Sequence, residues 1–175
     1  MKLEEKKISS EEIYKGKILN LYKDKVLCPN GKTSYREVVR HCKAVCIIAE
    51  LDGKYAIEGQ YRYPYDEVIL EFPAGKVDKD EDLTTAAIRE LEEEIGYHAE
   101  TIEYLGDMYP SCAYTDEIIS LYFATNLVKT HQSLDENEAL NYKFITLEEI
   151  KELVVTNQIK DAKTLCALQL FLLKK

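Results

Sequence analysis

The chain has 175 residues, of which 46% are hydrophobic, and its net charge is −9. This length suits one globular domain with at most a small appendage, and it is enough to bury a core. The acidic balance argues against nucleic acid as a partner, because phosphate backbones are bound by basic faces. Five scattered cysteines without a Cys-x-x-Cys pair favour reduced thiols and a cytoplasmic protein.

The N-terminal stretch MKLEEKKISSEEIYKG has no apolar core of the kind found in secretion signals. No other stretch approaches the roughly 18 apolar residues that span a bilayer. We therefore expect neither secretion nor a membrane partner.

Two hairpins are predicted in the first third of the chain. In segment 17–39, two apolar-rich runs flank PNGK, whose Asn-Gly pair favours a tight turn. The second hairpin joins KAVCIIAE to KYAIEGQYR at Asp52 and Gly53. A further strand, EVILEF, ends at Pro73, because proline cannot donate to a sheet ladder.

A helix is predicted after residue 80. Leu83, Ala87, Leu91 and Ile95 recur every four residues, which places them along one apolar stripe, and Gly96 suits the helix end.

The rest of the chain predicts further strands and helices. Two strands near AETIEYLGDMY and EIISLYFATNL precede a polar loop, KTHQSLDENEA, and a short strand, LNYKFI. Thr146 and Glu149 form a capping-box pattern before one helix, and Asp161 can cap the last. This order indicates an α+β fold with a mixed β-sheet sandwiched between helices, preceded by a small N-terminal antiparallel β unit.

The predicted first helix concentrates acidic residues on one face. Glu90, Glu93 and Glu94 lie at positions i, i+3 and i+4, where like charges repel by about 0.2–0.5 kcal/mol per pair. A solvated acidic face is the simplest explanation. A second explanation is a site for Mg²⁺ or Mn²⁺, since hard cations prefer oxygen ligands.

The residues around this face favour the metal site. Segment 75–97 fits the pattern Gly-x5-Glu-x7-Arg-Glu-U-x-Glu-Glu-x-Gly-U, where U is a bulky apolar residue, and so resembles the Nudix box. The matching positions are Gly75, Glu81, Arg89, Glu90, Leu91, Glu93, Glu94, Gly96 and Tyr97. The resemblance implies the Nudix fold and hydrolysis of a diphosphate with Mg²⁺ or Mn²⁺.

The same resemblance implies roles for individual residues. Glu90, Glu93 and Glu94 would hold the metal together with the backbone carbonyl of Ala74. Arg89 would orient the glutamates, and we count Arg89 and Glu93 among the catalytic residues as well.

Segments outside the motif, among them EGQYRYPYDEVILEFPAGKVD and LDENEA, are similar to the ADP-ribose pyrophosphatase branch of Nudix hydrolases. In that branch an N-terminal β unit is exchanged between two subunits, so the resemblance implies a homodimer. We expect residues 1–42 to form this dimerisation and substrate-contacting unit and residues 43–175 to form the Nudix domain.

The branch also implies residues for binding and catalysis. Arg36 and Glu37 match positions that contact the adenine end of the substrate in this branch. Arg62 matches an arginine that contacts the substrate's phosphates. The general base is a glutamate in LDENEA, either Glu136, which we prefer, or Glu138. Glu71 is either an acid near the metals or a rim carboxylate.

One departure concerns substrate choice. Where the branch has Ser-Pro-Gly, this chain has Ser111, Cys112 and Ala113. Hydrolysis of ADP-ribose to AMP and ribose 5-phosphate is therefore expected from the whole-chain resemblance. The alternatives are another nucleoside diphosphate sugar, a dinucleotide, or a non-catalytic nucleotide sensor.

Overall fold

The computed structural model describes residues 3–174, which divide into two compact units. The first unit contains the residues up to Cys42 and the segment Tyr109–Ile118, and the second contains Lys43–Met108 and the residues from Ile119 onward. The domain roles expected of residues 1–42 and 43–175 stay predictions. Segment 109–118, which the sequence-based division placed in the second domain, belongs with the first unit.

The first unit is a three-stranded antiparallel sheet in the order β1-β2-β3. Its strands are β1 (Lys6–Lys15), β2 (Asn20–Leu27) and β3 (Thr33–Arg40). The predicted hairpin is confirmed, because β2 pairs with β3 across a turn in which Gly31 has a φ of 79°. Strand β1 was not predicted. All of its residues are exposed, so its sequence carries no apolar alternation.

The second unit is built on a seven-stranded sheet. Its strands are β4 (Ala44–Leu51), β5 (Lys54–Arg62), β6 (Glu67–Glu71), β7 (Ala74–Lys76), β8 (Tyr97–Met108), β9 (Ile119–Lys129) and β10 (Leu140–Thr146). The order is β10-β5-β4-β9-β8, with β6 paired to β5 and β7 to β4. Strand β9 runs parallel to β4 and the other pairs are antiparallel, which confirms the predicted mixed sheet.

Three helices cover this sheet: α1 (Leu83–Ile95), α2 (Leu147–Val155) and α3 (Ala162–Lys174). Helix α1 packs its buried residues Ala87, Leu91 and Ile95 against one face. Helices α2 and α3 pack on a second core cluster, which includes Ile150 and Phe171. The sheet therefore lies between helices, as predicted.

The ends of α1 are fixed by its capping residues. The Asp82 carboxylate accepts hydrogen bonds from the backbone N–H groups of Thr84 and Thr85, at 3.0 and 3.1 Å. Gly96 ends the helix with a φ of 69°, a conformation that glycine adopts without strain. These caps set the register in which the acidic residues of α1 meet the sheet.

Within residues 3–174, none of the five cysteines forms a disulfide. In the part of the chain that the structure describes, no helix has both the length and the apolar character needed to cross a bilayer. The cytoplasmic location remains a prediction.

Candidate active site

Helix α1 and strand β7 are locked together through two of the predicted metal ligands. The backbone N–H of Ala74 donates to Oε2 of Glu94 at 2.8 Å, and Glu94 is only 3% exposed. The carboxylate of Glu90 lies against Gly75 so closely that a Cβ there would overlap it. A residue without a side chain is thus needed at position 75 for Glu90 to reach its place.

Arg89 connects the acids of this helix. Its guanidinium donates to both carboxylate oxygens of Glu81 at 2.8 Å and to the Lys76 carbonyl at 3.0 Å. The same side chain donates to Glu90 at 2.9 Å and to Glu93 at 2.8 Å. This geometry is the one expected of a residue that orients the glutamates, and its part in catalysis stays a prediction.

The ion pair with Arg89 also fixes the charge of Glu81. Hydrogen bonds from Arg89 and from the Asp78 backbone lower the pKa of Glu81 to about 2. Glu81 is therefore ionised at neutral pH and neutralises much of the arginine charge. As a result, Arg89 only partly compensates the negative charge of Glu90 and Glu93.

Sequence reasoning missed an acid that the structure places at the same site. Glu58 lies in β5, directly across from Glu71 of β6, and is fully buried. Both of its carboxylate oxygens are buried and have no hydrogen-bond partner among the described residues. The signal was present in KYAIEGQYR, since a charged residue within a buried apolar run is rare unless it is paired.

The surroundings of three acids at this site disfavour their ionised forms. Burial, and then the charge of Glu71, raise the pKa of Glu58. Burial, followed by the charges of Glu58 and Glu90, raises the pKa of Glu94. Burial raises the pKa of Glu90 to about 7, although Arg89 opposes the shift. Glu58 and Glu94 are buried and Glu90 is half-buried, and together these three carboxylates form an acidic cluster.

The neighbouring cations are already paired with Glu71. The Nε of Arg62 donates to Glu71 at 2.7 Å, and the Nζ of Lys163 contacts its other oxygen. Glu71 is 1% exposed. Of its two predicted positions, the one at the rim of the site is therefore wrong. Lys163 was not predicted, because its partner lies 92 residues away in the sequence.

The two candidate bases occupy different environments. The Nε2 of Gln60 donates to Oε1 of Glu138 at 2.9 Å, and the charge of Glu138 contributes to the raised pKa values of Glu58, Glu90 and Glu94. Glu136, on the same segment, is exposed. The structure thus brings Glu138 to the acidic cluster and leaves Glu136 at the surface.

The predicted adenine-contacting residues lie in the first unit. Arg36 forms an ion pair through two nitrogens with Glu5, and its Nε to Oε2 distance is 3.0 Å. Glu37 is exposed on β3, opposite Lys23 of β2. Their roles in substrate binding stay predictions.

The donor set can be compared with the needs of a divalent cation. No group of three His, Cys, Asp or Glu side chains within residues 3–174 forms a ready-made metal site. Glu90 and Glu93 are held by Arg89, and Glu94 by the Ala74 N–H. The buried oxygens of Glu58 nevertheless have no partner among the described residues, and an all-oxygen donor set suits Mg²⁺ or Mn²⁺.

Comparison with protein families identifies both units. The NUDIX domain family matches residues 40–168, and the nucleoside diphosphate sugar hydrolase N-terminal domain family matches residues 5–39.

Individual relatives span most of the chain. An ADP-ribose pyrophosphatase of Bacillus subtilis is 41% identical over 99% of this chain and 95% of its own length. A methanol dehydrogenase activator of Bacillus methanolicus is 43% identical over 95% and 91%. A crystal structure of an ADP compounds hydrolase is 22% identical and superposes with a TM-score of 0.89 over 98% of this chain and 94% of that one, which shows a shared fold.

The raised pKa values predict how stability depends on pH without metal. The folded chain binds protons at Glu58, Glu90 and Glu94 more tightly than the unfolded chain does. Their stabilising contribution is complete below the ordinary pKa of 4.5 and is lost as the pH rises through the raised values, about 7 for Glu90. In EDTA, the melting temperature should be lower at pH 8 than at pH 5.5. Glu90→Gln should reduce this difference, and a wild-type protein that is more stable at pH 8 would contradict the account.

Proposed function

Because this chain belongs to the NUDIX domain family, we propose that it is a metal-dependent pyrophosphohydrolase that cleaves ADP-ribose to AMP and ribose 5-phosphate. The observation that carries the proposal is the acidic cluster of the buried Glu58 and Glu94 and the half-buried Glu90 beside β7. The similarity to an ADP-ribose pyrophosphatase over nearly the full length supports the choice of substrate.

Glu90, Glu93 and Glu94 would hold Mg²⁺ or Mn²⁺ with the Ala74 carbonyl. The bound cation would supply neutralisation of charge on the diphosphate oxygens and a more acidic bound water. Arg89 keeps Glu90 and Glu93 oriented through hydrogen bonds of 2.9 and 2.8 Å, so little reorganisation is needed when substrate binds.

Arg62 is proposed to bind the diphosphate. Its Nε is committed to the buried Glu71, which fixes the direction of the guanidinium. A guanidinium has five N–H donors, and its planar geometry matches phosphate oxygens. The half-buried position of Arg62 makes this contact stronger than one made by a fully exposed arginine.

The general base is proposed to be Glu136. Glu138 is held by Gln60 and interacts with the acidic cluster, a setting suited to a group that helps hold the cation. Glu136 is exposed on the same segment, which leaves its carboxylate available to accept a proton from the attacking water. The reverse assignment, with Glu138 as the base, makes opposite predictions.

The first unit is proposed to bind the adenine end through Arg36 and Glu37 and to form the homodimer. Strand β1 supports this proposal, because Ile8, Ile13 and Tyr14 are 54%, 50% and 58% exposed. Exposed apolar side chains grouped on one strand are typical of a surface that another chain covers.

A second candidate function is suggested by the relative named as a methanol dehydrogenase activator, which is 43% identical to this chain. In that case the chain would act on a partner enzyme. The unusual segment Ser111–Ala113 leaves other nucleoside diphosphate sugars and dinucleotides as further alternatives.

A substrate panel tests the proposal. Purified protein with Mg²⁺ should show a kcat/KM for ADP-ribose at least about tenfold above those for GDP-sugars, UDP-sugars and dinucleotides. A higher value for any other substrate would contradict the substrate assignment. Stimulation of a methanol dehydrogenase without ADP-ribose hydrolysis would instead favour the second candidate.

Glu94→Gln should abolish turnover while the fold is kept. The amide retains the size of the side chain but loses the charge that a cation requires, so kcat/KM for ADP-ribose should fall by more than about 10²-fold. Glu92→Gln is the matched control, since Glu92 lies on the same helix and contacts His98 at 3.2 Å instead of joining the cluster. A near-normal rate for Glu94→Gln would refute its role.

Single substitutions separate the two loop glutamates. Glu136→Gln should lower kcat by about 10²- to 10⁴-fold without changing Mn²⁺ affinity, because it removes only the base. Glu138→Gln should weaken Mn²⁺ binding measured by calorimetry. If the larger loss in kcat occurs at Glu138 with unchanged metal affinity, the assignment must be reversed.

The dimer proposal is tested by light scattering after size-exclusion chromatography. The wild-type chain should have twice the 20.2 kDa mass of one subunit, and the double variant Ile8→Glu/Ile13→Glu should be monomeric. Leu173→Glu, which alters an apolar residue 71% exposed at the end of α3, is the control and should remain dimeric. A monomeric wild-type protein would rule out the proposal.

A further inference from the structure

The acid that the Nudix motif does not include is also the one that the protein leaves without a partner. Within residues 3–174, Glu58 is the one charged side chain whose buried oxygens lack any hydrogen bond. The other buried acids of the second unit are engaged: Glu71 with Arg62 and Lys163, and Glu94 with the Ala74 N–H.

Neither protonation state of Glu58 is satisfied by the groups around it. An ionised carboxylate needs donors, and a protonated one needs an acceptor for its O–H group. No described residue supplies either to Glu58. A buried polar group in this state points to a ligand that is bound when the protein functions.

The position of Glu58 identifies the chemistry of that ligand. Glu58 lies across from Glu71 on the neighbouring strand, the charges of Glu71 and Glu138 act on it, and Glu58 in turn acts on Glu94. Arg62 and Lys163 also act on it, but both donate to Glu71. These acids would repel a further anion, whereas they would attract a small divalent cation that prefers oxygen ligands.

We propose that Glu58 is an additional carboxylate that holds the divalent cation, contributed by strand β5 and not by helix α1 or by segment 130–139. The inference rests on the metal-dependent function proposed for this site. It assigns to the cation a ligand from the central sheet, whose backbone is fixed by pairing with β6 and β10. A ligand on a rigid strand restricts where the cation can lie.

The test is Mn²⁺ affinity, measured in the absence of substrate by calorimetry and by the electron paramagnetic resonance signal of free Mn²⁺. Glu58→Gln should weaken binding by about 10- to 100-fold. In EDTA at alkaline pH, where the wild-type carboxylate is ionised without a partner, the same variant should melt at a higher temperature than wild type. Glu67→Gln is the control, since Glu67 lies on β6 but is exposed and paired with Lys160 at 2.7 Å.

A dissociation constant for Glu58→Gln within twofold of the wild-type value would overturn the inference. If Glu58→Gln does not fold, Glu58→Met, which keeps the length and removes the polar atoms, is measured in the same way. Failure of both variants to fold would also count against the proposal, since a carboxylate that serves to hold a cation is not needed for folding. If the wild-type protein itself binds no Mn²⁺, the proposed function fails instead.

Discussion

The burial of several carboxylates beside too few cations is the constraint on which the rest of the site depends. Glu58 and Glu94 are almost fully buried, and Glu90 lies close to them, yet the cations of this region already serve other acids. An arrangement of this kind costs free energy in a protein without a ligand. A divalent cation that binds only the folded state would offset that cost, because binding shifts the folding equilibrium toward the folded state.

The fold supplies the means of keeping these acids together. The caps of α1 set its register, Gly75 leaves room for Glu90, and the Ala74 N–H holds Glu94 at 2.8 Å. Arg89 then ties the loop before the helix to the helix itself through Glu81. The helix and its preceding loop thus act as one unit, which is placed against β4, β7 and β8.

Much of this could be predicted from local sequence, because it depends on local rules. The turn at Asp52 and Gly53 has positive φ at both residues, as such a pair allows, and Gly96 ends α1. The missed features have a common cause. Strand β1 buries nothing, and β7 is three residues long. The partner of Lys163 and the position of Glu58 are fixed by helix packing and strand pairing between residues far apart in the sequence. Such contacts leave no periodic signal.

The most direct test of the account is a crystal structure of the protein grown with Mn²⁺ and examined at the manganese absorption edge. We expect an anomalous peak within about 2.2 Å of carboxylate oxygens of Glu90 and Glu94, with Glu58 facing the same ion. A fully ordered site without a peak, or a peak confined to the exposed acids of α1, would contradict it. In that case the buried carboxylates would need another explanation.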